Sequence, residues 1–205
     1  MTNKQMASFV AELVGTFILA SVAFSVGGAG AVGVVIVGLT LMVLVNMMGG
    51  ISGAHVNPAV TAGMLALRKI KLPDAVMYVV AQGLGALGAW LMYEYLTGRD
   101  VASIDADFSN ELFVAEILGM AVFGMGIAAA VRNKLTGAQA AVTIGFSLML
   151  GIVVASVASG AGTINPAIAL GMQDLSVEKL VGPILGSVVG MSVYMWLADT
   201  AAKKS

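Results

Sequence analysis

Residues 52–61 read Ser-Gly-Ala-His-Val-Asn-Pro-Ala-Val-Thr, and the Asn-Pro-Ala tripeptide inside them recurs at residues 165–167. Each copy begins a short apolar stretch, from Val56 to Leu67 and from Ile164 to Met172. About ten residues of helix reach about 15 Å, which is half the thickness of the bilayer hydrocarbon. Asn is a favoured N-cap and Pro suits the first helical position, so the sequence predicts two half-helices that begin at these asparagines.

Six longer apolar runs lie around the half-helices, each long enough to cross a membrane, which takes about 20 helical residues. They extend from Phe9 to Val26, Gly30 to Met48, Ala75 to Leu96, Leu112 to Val131, Ala138 to Ser159 and Leu180 to Ala198. The first run lacks a clear small-residue cleavage site, and we interpret it as a membrane helix and not as a removable signal.

The composition points to lipid as the surrounding solvent. Hydrophobic residues make up 59% of the 205 residues and charged residues 10%, whereas soluble domains have about 25% charged residues. With a net charge of −1, the chain is unlike a nucleic-acid-binding protein, and we expect no nucleic-acid partner. The sequence has no cysteine and one histidine, which excludes thiolate chemistry and any mechanism that needs two histidines. We expect no cofactor and no metal ion.

The two halves of the chain repeat each other. Residues 11–15 (AELVG) match residues 115–119 (AEILG), and the two Asn-Pro-Ala units begin at residues 57 and 165. Each half holds three spans with a half-helix after the second, and an odd number of spans inverts the second half relative to the first. We therefore predict an all-α membrane protein with a single domain over residues 1–205, consisting of one repeat over 6–96, a polar linker over 97–110 and a second repeat over 111–199.

The positive charges predict the orientation of the chain. If the N-terminus is cytoplasmic, eight of the ten Lys and Arg residues fall on that side: Lys4, Arg68, Lys69, Lys71, Arg132, Lys134, Lys203 and Lys204. This distribution follows the positive-inside rule. We predict a multi-pass protein of the plasma (inner) membrane with both termini in the cytoplasm.

Because the repeats are inverted, the half-helices enter from opposite faces and their positive N-terminal ends meet at the midplane. A cation or a proton faces two dipole ends there, whereas a neutral molecule with acceptor atoms meets the amides of Asn57 and Asn165. The arrangement favours a pore for neutral solutes over a role as helix caps alone. The predicted pore-lining residues are Asn57, Pro58, Ala59, Asn165, Pro166 and Ala167.

Glu12 and Glu116 lie inside spans at equivalent positions of the repeats. A carboxylate at this depth is costly and is a functional candidate by default. We interpret both as acceptors for the irregular backbone that precedes each half-helix, with a proton relay as the alternative. His55 has a similar pair of interpretations, in which it either pins the loop or acts as a ligand or sensor.

These motifs resemble those of the aquaporin and glycerol-facilitator (major intrinsic protein) family, over essentially the whole chain. Residues 52–61 fit the family's first signature residue for residue, and the second Asn-Pro-Ala unit lies at the symmetric position. The resemblance implies six helices with two half-helices per subunit, a homotetramer, and passive passage of water and small uncharged solutes such as glycerol, ammonia or neutral metalloid acids.

The chain departs from the family pattern at the narrow outer filter. Ile168 stands where the family usually has Arg, three residues after the second Asn. The absence of the arginine removes up to five hydrogen-bond donors. The predicted filter consists of Val37, Ile152 or Val153, Gly162 and Ile168, and has no charge, no aromatic ring and no side-chain donor. It is either wide, which the small Gly162 favours, or tight enough to close by dewetting.

Two other functional classes share parts of this pattern. A coupled secondary transporter also uses inverted repeats and broken helices, but it needs a titratable group in its pathway, where Glu12 and Glu116 are the candidates. Residues 50–53 (GISG) match a motif of intramembrane serine proteases. The required base would be His55, which lies three residues from Ser52 on the same segment and is poorly placed to take its proton.

Overall fold

Helices account for all the regular secondary structure in the part of the chain that the computed structural model describes, which is residues 1–99, 107–159 and 162–203. They are α1 (Asn3–Val26), α2 (Gly30–Met48), α3 (Pro58–Ala66), α4 (Leu72–Thr97), α5 (Asn110–Arg132), α6 (Gly137–Ser159), α7 (Pro166–Gly171), α8 (Val177–Leu180) and α9 (Gly182–Ala202). The predicted all-α fold is confirmed. Within the linker predicted over 97–110, residues 100–106 lie outside the described residues.

Six of these segments are long and apolar enough to cross a membrane: α1, α2, α4, α5, α6 and the segment Val177–Ala202 that joins α8 and α9. Their mean hydropathy ranges from 1.6 to 2.4. Large apolar side chains lie exposed on their outer surfaces, among them Val157 at 86% and Leu96 at 68%. Soluble monomers rarely expose apolar surface on this scale, so these surfaces face lipid and the protein is a multi-pass membrane protein.

Several helix ends differ from the apolar runs that predicted them, and two of the differences have a clear local cause. Helix α1 begins at Asn3 and not at Phe9, because Thr2 and Gln5 form a capping box that stabilises a polar first turn. The last predicted span starts at Leu180, where the short helix α8 ends, and its own helix α9 begins at Gly182 with proline in its first turn. Hydropathy alone detects neither feature, because both depend on caps and backbone donors.

Glycines at equivalent positions let the helices of each half cross closely. A Cβ atom on Gly85 would overlap the carbonyl oxygen of Leu13, and a Cβ atom on Gly186 would overlap the carbonyl oxygen of Ile117. Leu13 and Ile117 occupy the same position in the two matching segments. Helices α1 and α4 therefore pack against each other as α5 and α9 do.

The second spans of the two halves, α2 and α6, cross each other reciprocally. A Cβ atom on Gly145 would lie 2.8 Å from the carbonyl oxygen of Gly38, and a Cβ atom on Gly38 would lie 3.1 Å from that of Gly145. A contact in which each partner uses the same residue is what two-fold related repeats produce.

Candidate functional site

The two half-helices meet at their N-terminal ends, joined by their capping asparagines. The Oδ1 atoms of Asn57 and Asn165 each accept a hydrogen bond from the backbone N–H two residues further on, at 2.8 and 3.0 Å. The Nδ2 atoms donate across the junction, from Asn57 to the carbonyl oxygen of Ile164 at 2.9 Å and from Asn165 to that of Val56 at 3.1 Å. Each asparagine therefore caps its own half-helix and binds the opposite loop.

Val56 and Ile164 have a backbone conformation that β-branched residues rarely adopt, with φ angles of 43° and 40°. Such a residue costs of order 1–3 kcal/mol and persists where its surroundings hold it in place. Here the carbonyl oxygens are held by the asparagines across the junction. The N–H groups are held by buried carboxylates, Val56 by Glu12 at 2.7 Å and Ile164 by Glu116 at 2.6 Å.

Glu12 accepts four hydrogen bonds and is fully buried. Two come from the loop backbone, from the N–H groups of His55 at 2.9 Å and Val56 at 2.7 Å. The others come from Ser52 Oγ at 2.6 Å and Gln82 Nε2 at 2.8 Å. All four donors hold the loop before α3 or join it to α4.

Glu116, also fully buried, accepts hydrogen bonds from the backbone N–H groups of Thr163 at 2.8 Å and Ile164 at 2.6 Å. Both carboxylates thus engage the loops that precede the half-helices, and neither borders the two cavities described next. These contacts support the interpretation of Glu12 and Glu116 as loop acceptors over the proton relay.

Two cavities lie near the asparagine junction and share Leu41, His55 and Phe123 as lining residues, which makes them a candidate path. The larger one has a volume of about 470 Å³ and extends from His55 to Lys134 and Thr136 in the loop between α5 and α6. We call it the inner cavity. The smaller one has a volume of about 20 Å³ and holds about one water molecule. We call it the outer cavity.

The outer cavity brings together three of the predicted filter residues, Val37, Ile152 and Ile168, with both asparagines. Val153, the alternative to Ile152, does not border it and is 56% exposed on the outer surface of α6. Of the two candidates that the sequence left open, Ile152 is the one that borders this cavity.

Gly162 does not border the outer cavity, and the cavity is narrow although this glycine favours a wide opening. A Cβ atom at position 162 would overlap Ala155 and lie 2.8 Å from the carbonyl oxygen of Ile152. The glycine is therefore small because its loop packs directly on α6, and its size leaves no additional space in the lumen.

The proline and alanine residues of the two Asn-Pro-Ala units also differ from the prediction, since none of Pro58, Ala59, Pro166 and Ala167 borders either cavity. Ala59 and Ala167 are 0% and 1% exposed. They form the first turns of the half-helices, whose side chains pack into the protein. Of the six predicted pore-lining residues, the two asparagines are those beside the path.

Thr163 borders the outer cavity although the predicted filter omits it. It supplies a hydroxyl group where that filter has no side-chain donor. The repeat contains the signal that finds it, because Thr163 lies two residues before Asn165 as His55 lies two residues before Asn57. His55 itself is buried, with Nδ1 3.1 Å from Thr61 Oγ1 and its ring edge-to-face with Tyr78.

A buried ion pair follows α7, between Asp174 Oδ2 and Lys179 Nζ at 2.6 Å. The backbone N–H of Asp174 donates to the carbonyl oxygen of Ala169, which attaches the pair to the half-helix. Burial alone would raise the pKa of the Asp174 carboxyl, but the hydrogen bonds from Lys179 and Ser176 outweigh it and hold the pKa below its usual range. The sequence analysis does not predict this pair, because it depends on how the chain folds after α7.

Comparison with known proteins identifies related chains. The profile of the family described as "Major intrinsic protein" matches residues 1–194. The chain is 30% identical to Aquaporin-4 of Rattus norvegicus, over 93% of this chain and 66% of the rat protein. It is 31% identical to Aquaporin NIP1-1 of Arabidopsis thaliana, over 92% of this chain and 73% of the plant protein. The X-ray structure of the aquaglyceroporin from Plasmodium falciparum has the same fold, with a TM-score of 0.73 at 21% identity over 98% of this chain and 100% of that one.

Proposed function

Since the chain belongs to the major intrinsic protein family, as its motifs predicted, and members of this family are membrane channels and not enzymes, we propose that it conducts water and small uncharged solutes passively across a membrane. The observation that carries this proposal is the pair of neighbouring cavities at Asn57 and Asn165, which share Leu41, His55 and Phe123 as lining residues. Coupled transport is the alternative that the sequence left open, but the two intramembrane carboxylates accept hydrogen bonds from loop N–H groups, and neither carboxylate borders these cavities.

The asparagine junction selects against cations. An Asn side chain has two N–H donors, and the cross-junction hydrogen bonds use one on each residue. The second donor of each remains for a solute in the outer cavity, which both residues border. The N-terminal ends of α3 and α7 add positive dipole ends at the same place. A neutral solute with an acceptor atom is therefore stabilised, whereas a cation or a travelling proton is opposed.

The outer cavity limits the size of the solute. Its volume of about 20 Å³ fits one water molecule or an ammonia molecule, in single file, between Val37, Ile152 and Ile168. Among the solutes that the family resemblance implies, glycerol and neutral metalloid acids are larger and require these side chains to move. We propose that the outer cavity, and not the inner one, sets the flux.

Orientation and assembly complete the proposal. Arg68, Lys69 and Lys71 are exposed in the loop between α3 and α4, on the side that the positive-inside rule assigns to the cytoplasm. The inner cavity then opens to the cytoplasm, with both termini on that side of the plasma (inner) membrane. The family resemblance supports a homotetramer, which cross-linking of the full chain in lipid would detect.

The test compares two adjacent residues of α6 in proteoliposomes. Ile152→Ala removes apolar atoms from the narrow cavity, so we expect osmotic flux of glycerol, measured by stopped-flow light scattering, to rise about tenfold. Val153→Ala removes apolar atoms from the outer surface of the same helix and should leave solute flux at the wild-type value.

The panel of solutes is water, ammonia, glycerol, urea and a neutral metalloid acid, with empty vesicles as the baseline. Wild-type vesicles that shrink no faster than empty ones would refute passive conduction. A proton current through the wild-type protein would refute the role of the asparagine junction. Equal effects of Ile152→Ala and Val153→Ala would refute the placement of the constriction.

A further inference from the structure

The inner cavity is large enough to hold a small organic molecule. Its volume of about 470 Å³ lies within the range of cavities that bind such ligands, about 300–1,000 Å³. The outer cavity, with about 20 Å³, holds about one water molecule. An organic molecule that enters the inner cavity is therefore too large to continue through the outer one, and it would stay in the candidate path and obstruct it.

The wall of the inner cavity nearest the asparagine junction is mostly apolar. Leu41 and Phe123 border both cavities and therefore mark this end, with His55 as the polar residue beside them. Val60 lies in the first turn of α3, and Ile127 lies one turn from Phe123 on the same face of α5. An apolar chain or ring that packs against this wall leaves water, which favours its binding.

The opposite end of the inner cavity is polar. Asn46 lies in the last turn of α2, and Lys134 and Thr136 lie in the loop between α5 and α6. All three residues are exposed, so they surround the mouth through which the inner cavity meets water. None of the three side chains has a hydrogen-bond or ion-pair partner among the described residues, so their donors remain for a ligand.

The charge at this mouth is positive. Lys134 is the one charged residue among the described residues that line the two cavities, and no Asp or Glu is among them. The neighbouring cation, Arg132, is already paired with Asp199 at 3.1 Å. The ammonium group of Lys134 has three donors, and a carboxylate only accepts, so a carboxylate head group matches this mouth. A second charge on the ligand would meet the apolar wall and oppose binding.

We propose that the inner cavity binds a small monocarboxylate with an apolar chain or ring, and that the bound molecule blocks the channel. The carboxylate lies at Lys134, with Asn46 and Thr136 as further donors, and the apolar part lies against the wall formed by Leu41 and Phe123. The block rests on the proposed channel function, whereas the binding does not. With the orientation proposed above, the ligand comes from the cytoplasm.

The first test measures binding without any flux. The probe is 4-(trifluoromethyl)benzoate, observed by ¹⁹F NMR with the full chain in phosphatidylcholine nanodiscs, and empty nanodiscs give the baseline for partition into lipid. At pH 7.5 the probe is ionised, because carboxyl groups ordinarily have pKa values of about 4. The neutral 4-(trifluoromethyl)benzamide has the same ring and no charge. We expect its dissociation constant to be about two- to fivefold higher than that of the benzoate, the range of an exposed charge pair.

Three variants test whether Lys134 supplies the charge. Lys134→Gln should raise the dissociation constant of the benzoate about two- to fivefold and leave that of the amide unchanged. Lys134→Arg keeps the charge and should restore the wild-type value. Lys69→Gln removes an exposed cation that borders neither cavity and should change neither dissociation constant. Equal binding of benzoate and amide to the wild type, or equal binding of benzoate to the wild type and Lys134→Gln, would overturn the proposal.

The second test measures the block. Osmotic water flux through the wild type in phosphatidylcholine proteoliposomes, followed by stopped-flow light scattering, should fall as benzoate is added, with half-inhibition near its dissociation constant. Raising the ionic strength from about 0.01 M to about 0.15 M shortens the Debye length from about 30 Å to about 8 Å. The half-inhibiting concentration should therefore rise more for the wild type than for Lys134→Gln.

The two tests fail separately. If benzoate binds through Lys134 but the wild type conducts nothing, the proposed channel function is wrong and the binding site stands. If the wild type conducts water and benzoate does not bind, this inference is wrong and the proposed function stands. Binding through Lys134 that leaves the water flux unchanged would refute the block.

Discussion

In the first half of the chain Glu12 accepts four hydrogen bonds from the loop before α3 and from α4, whereas in the second half Glu116 accepts two from the loop before α7. The backbone of the two loops is nevertheless the same at the junction, with Val56 and Ile164 within 3° of each other in φ. Two backbone N–H groups on a carboxylate are therefore enough to hold this loop. The additional donors in the first half, Ser52 and Gln82, belong to the side-chain network that surrounds His55.

The outer ends of the half-helices differ as well. After α3 the chain presents exposed cations, among them Arg68 and Lys69. After α7 it buries an ion pair between Asp174 and Lys179, with side chains 5% and 8% exposed. The repeat thus preserves the backbone at the midplane, where both halves contribute to one junction. The polar groups at the outer ends of α3 and α7 are not repeated, because the two ends contribute to no common junction.

The largest effect that tests this comparison is the loss of a carboxylate. In Glu12→Gln an NH₂ group replaces one oxygen, and each oxygen of Glu12 accepts two hydrogen bonds. At about 1–3 kcal/mol for each buried donor left without an acceptor, the free energy of unfolding should fall by about 2–6 kcal/mol. The measurement is thermal unfolding in detergent, followed by circular dichroism.

Glu116→Gln is the matched variant in the second half. Each oxygen of Glu116 accepts one hydrogen bond, so the loss should be about 1–3 kcal/mol, or half as large. Equal losses in the two variants would mean that the additional donors around Glu12 contribute nothing. The two carboxylates would then stabilise their loops to the same extent.

A smaller effect distinguishes the two cavities. Ile168 in the outer cavity and Val60 in the inner cavity occupy equivalent positions, three residues after each asparagine. If the outer cavity sets the flux, Ile168→Ala should raise glycerol permeability by about tenfold, which corresponds to about 1.4 kcal/mol in the barrier, and Val60→Ala should leave it unchanged. An increase with Val60→Ala alone would place the barrier in the inner cavity.

The sequence predicts the parts of this structure that periodicity and local chemistry determine. The run from Gly30 to Met48 matches α2 at both ends, and the asparagines cap the half-helices as their residue types indicate. It does not predict which of Ile152 and Val153 faces the outer cavity. Neighbouring residues of a helix point about 100° apart, and the two ways of aligning the repeats differ by one residue here. The packing of Gly162 on α6 depends on how the loop folds, which no local pattern reports, whereas the position of Thr163 can be read from its equivalence to His55 in the repeat.

The smallest effect concerns the ion pair that only the second half of the comparison contains. The folded-state pKa of Asp174 lies below its usual range, and the unfolded value is about 3.9. The contribution of the pair to stability is therefore fully present above about pH 4 and is lost as the pH falls through the folded-state pKa.

From pH 7 to pH 5 the pair should add nothing to the pH dependence of unfolding. Below pH 4 the wild type should lose stability faster than the double variant Asp174→Asn, Lys179→Met. At pH 7 the free energy of unfolding of the double variant should lie within about 1 kcal/mol of the wild-type value. Lys69→Gln, at an exposed cation of the first half, is the matched control and should leave the acid dependence as in the wild type. If the double variant lost stability below pH 4 as steeply as the wild type, the ion pair would not be the acid-sensitive group after α7.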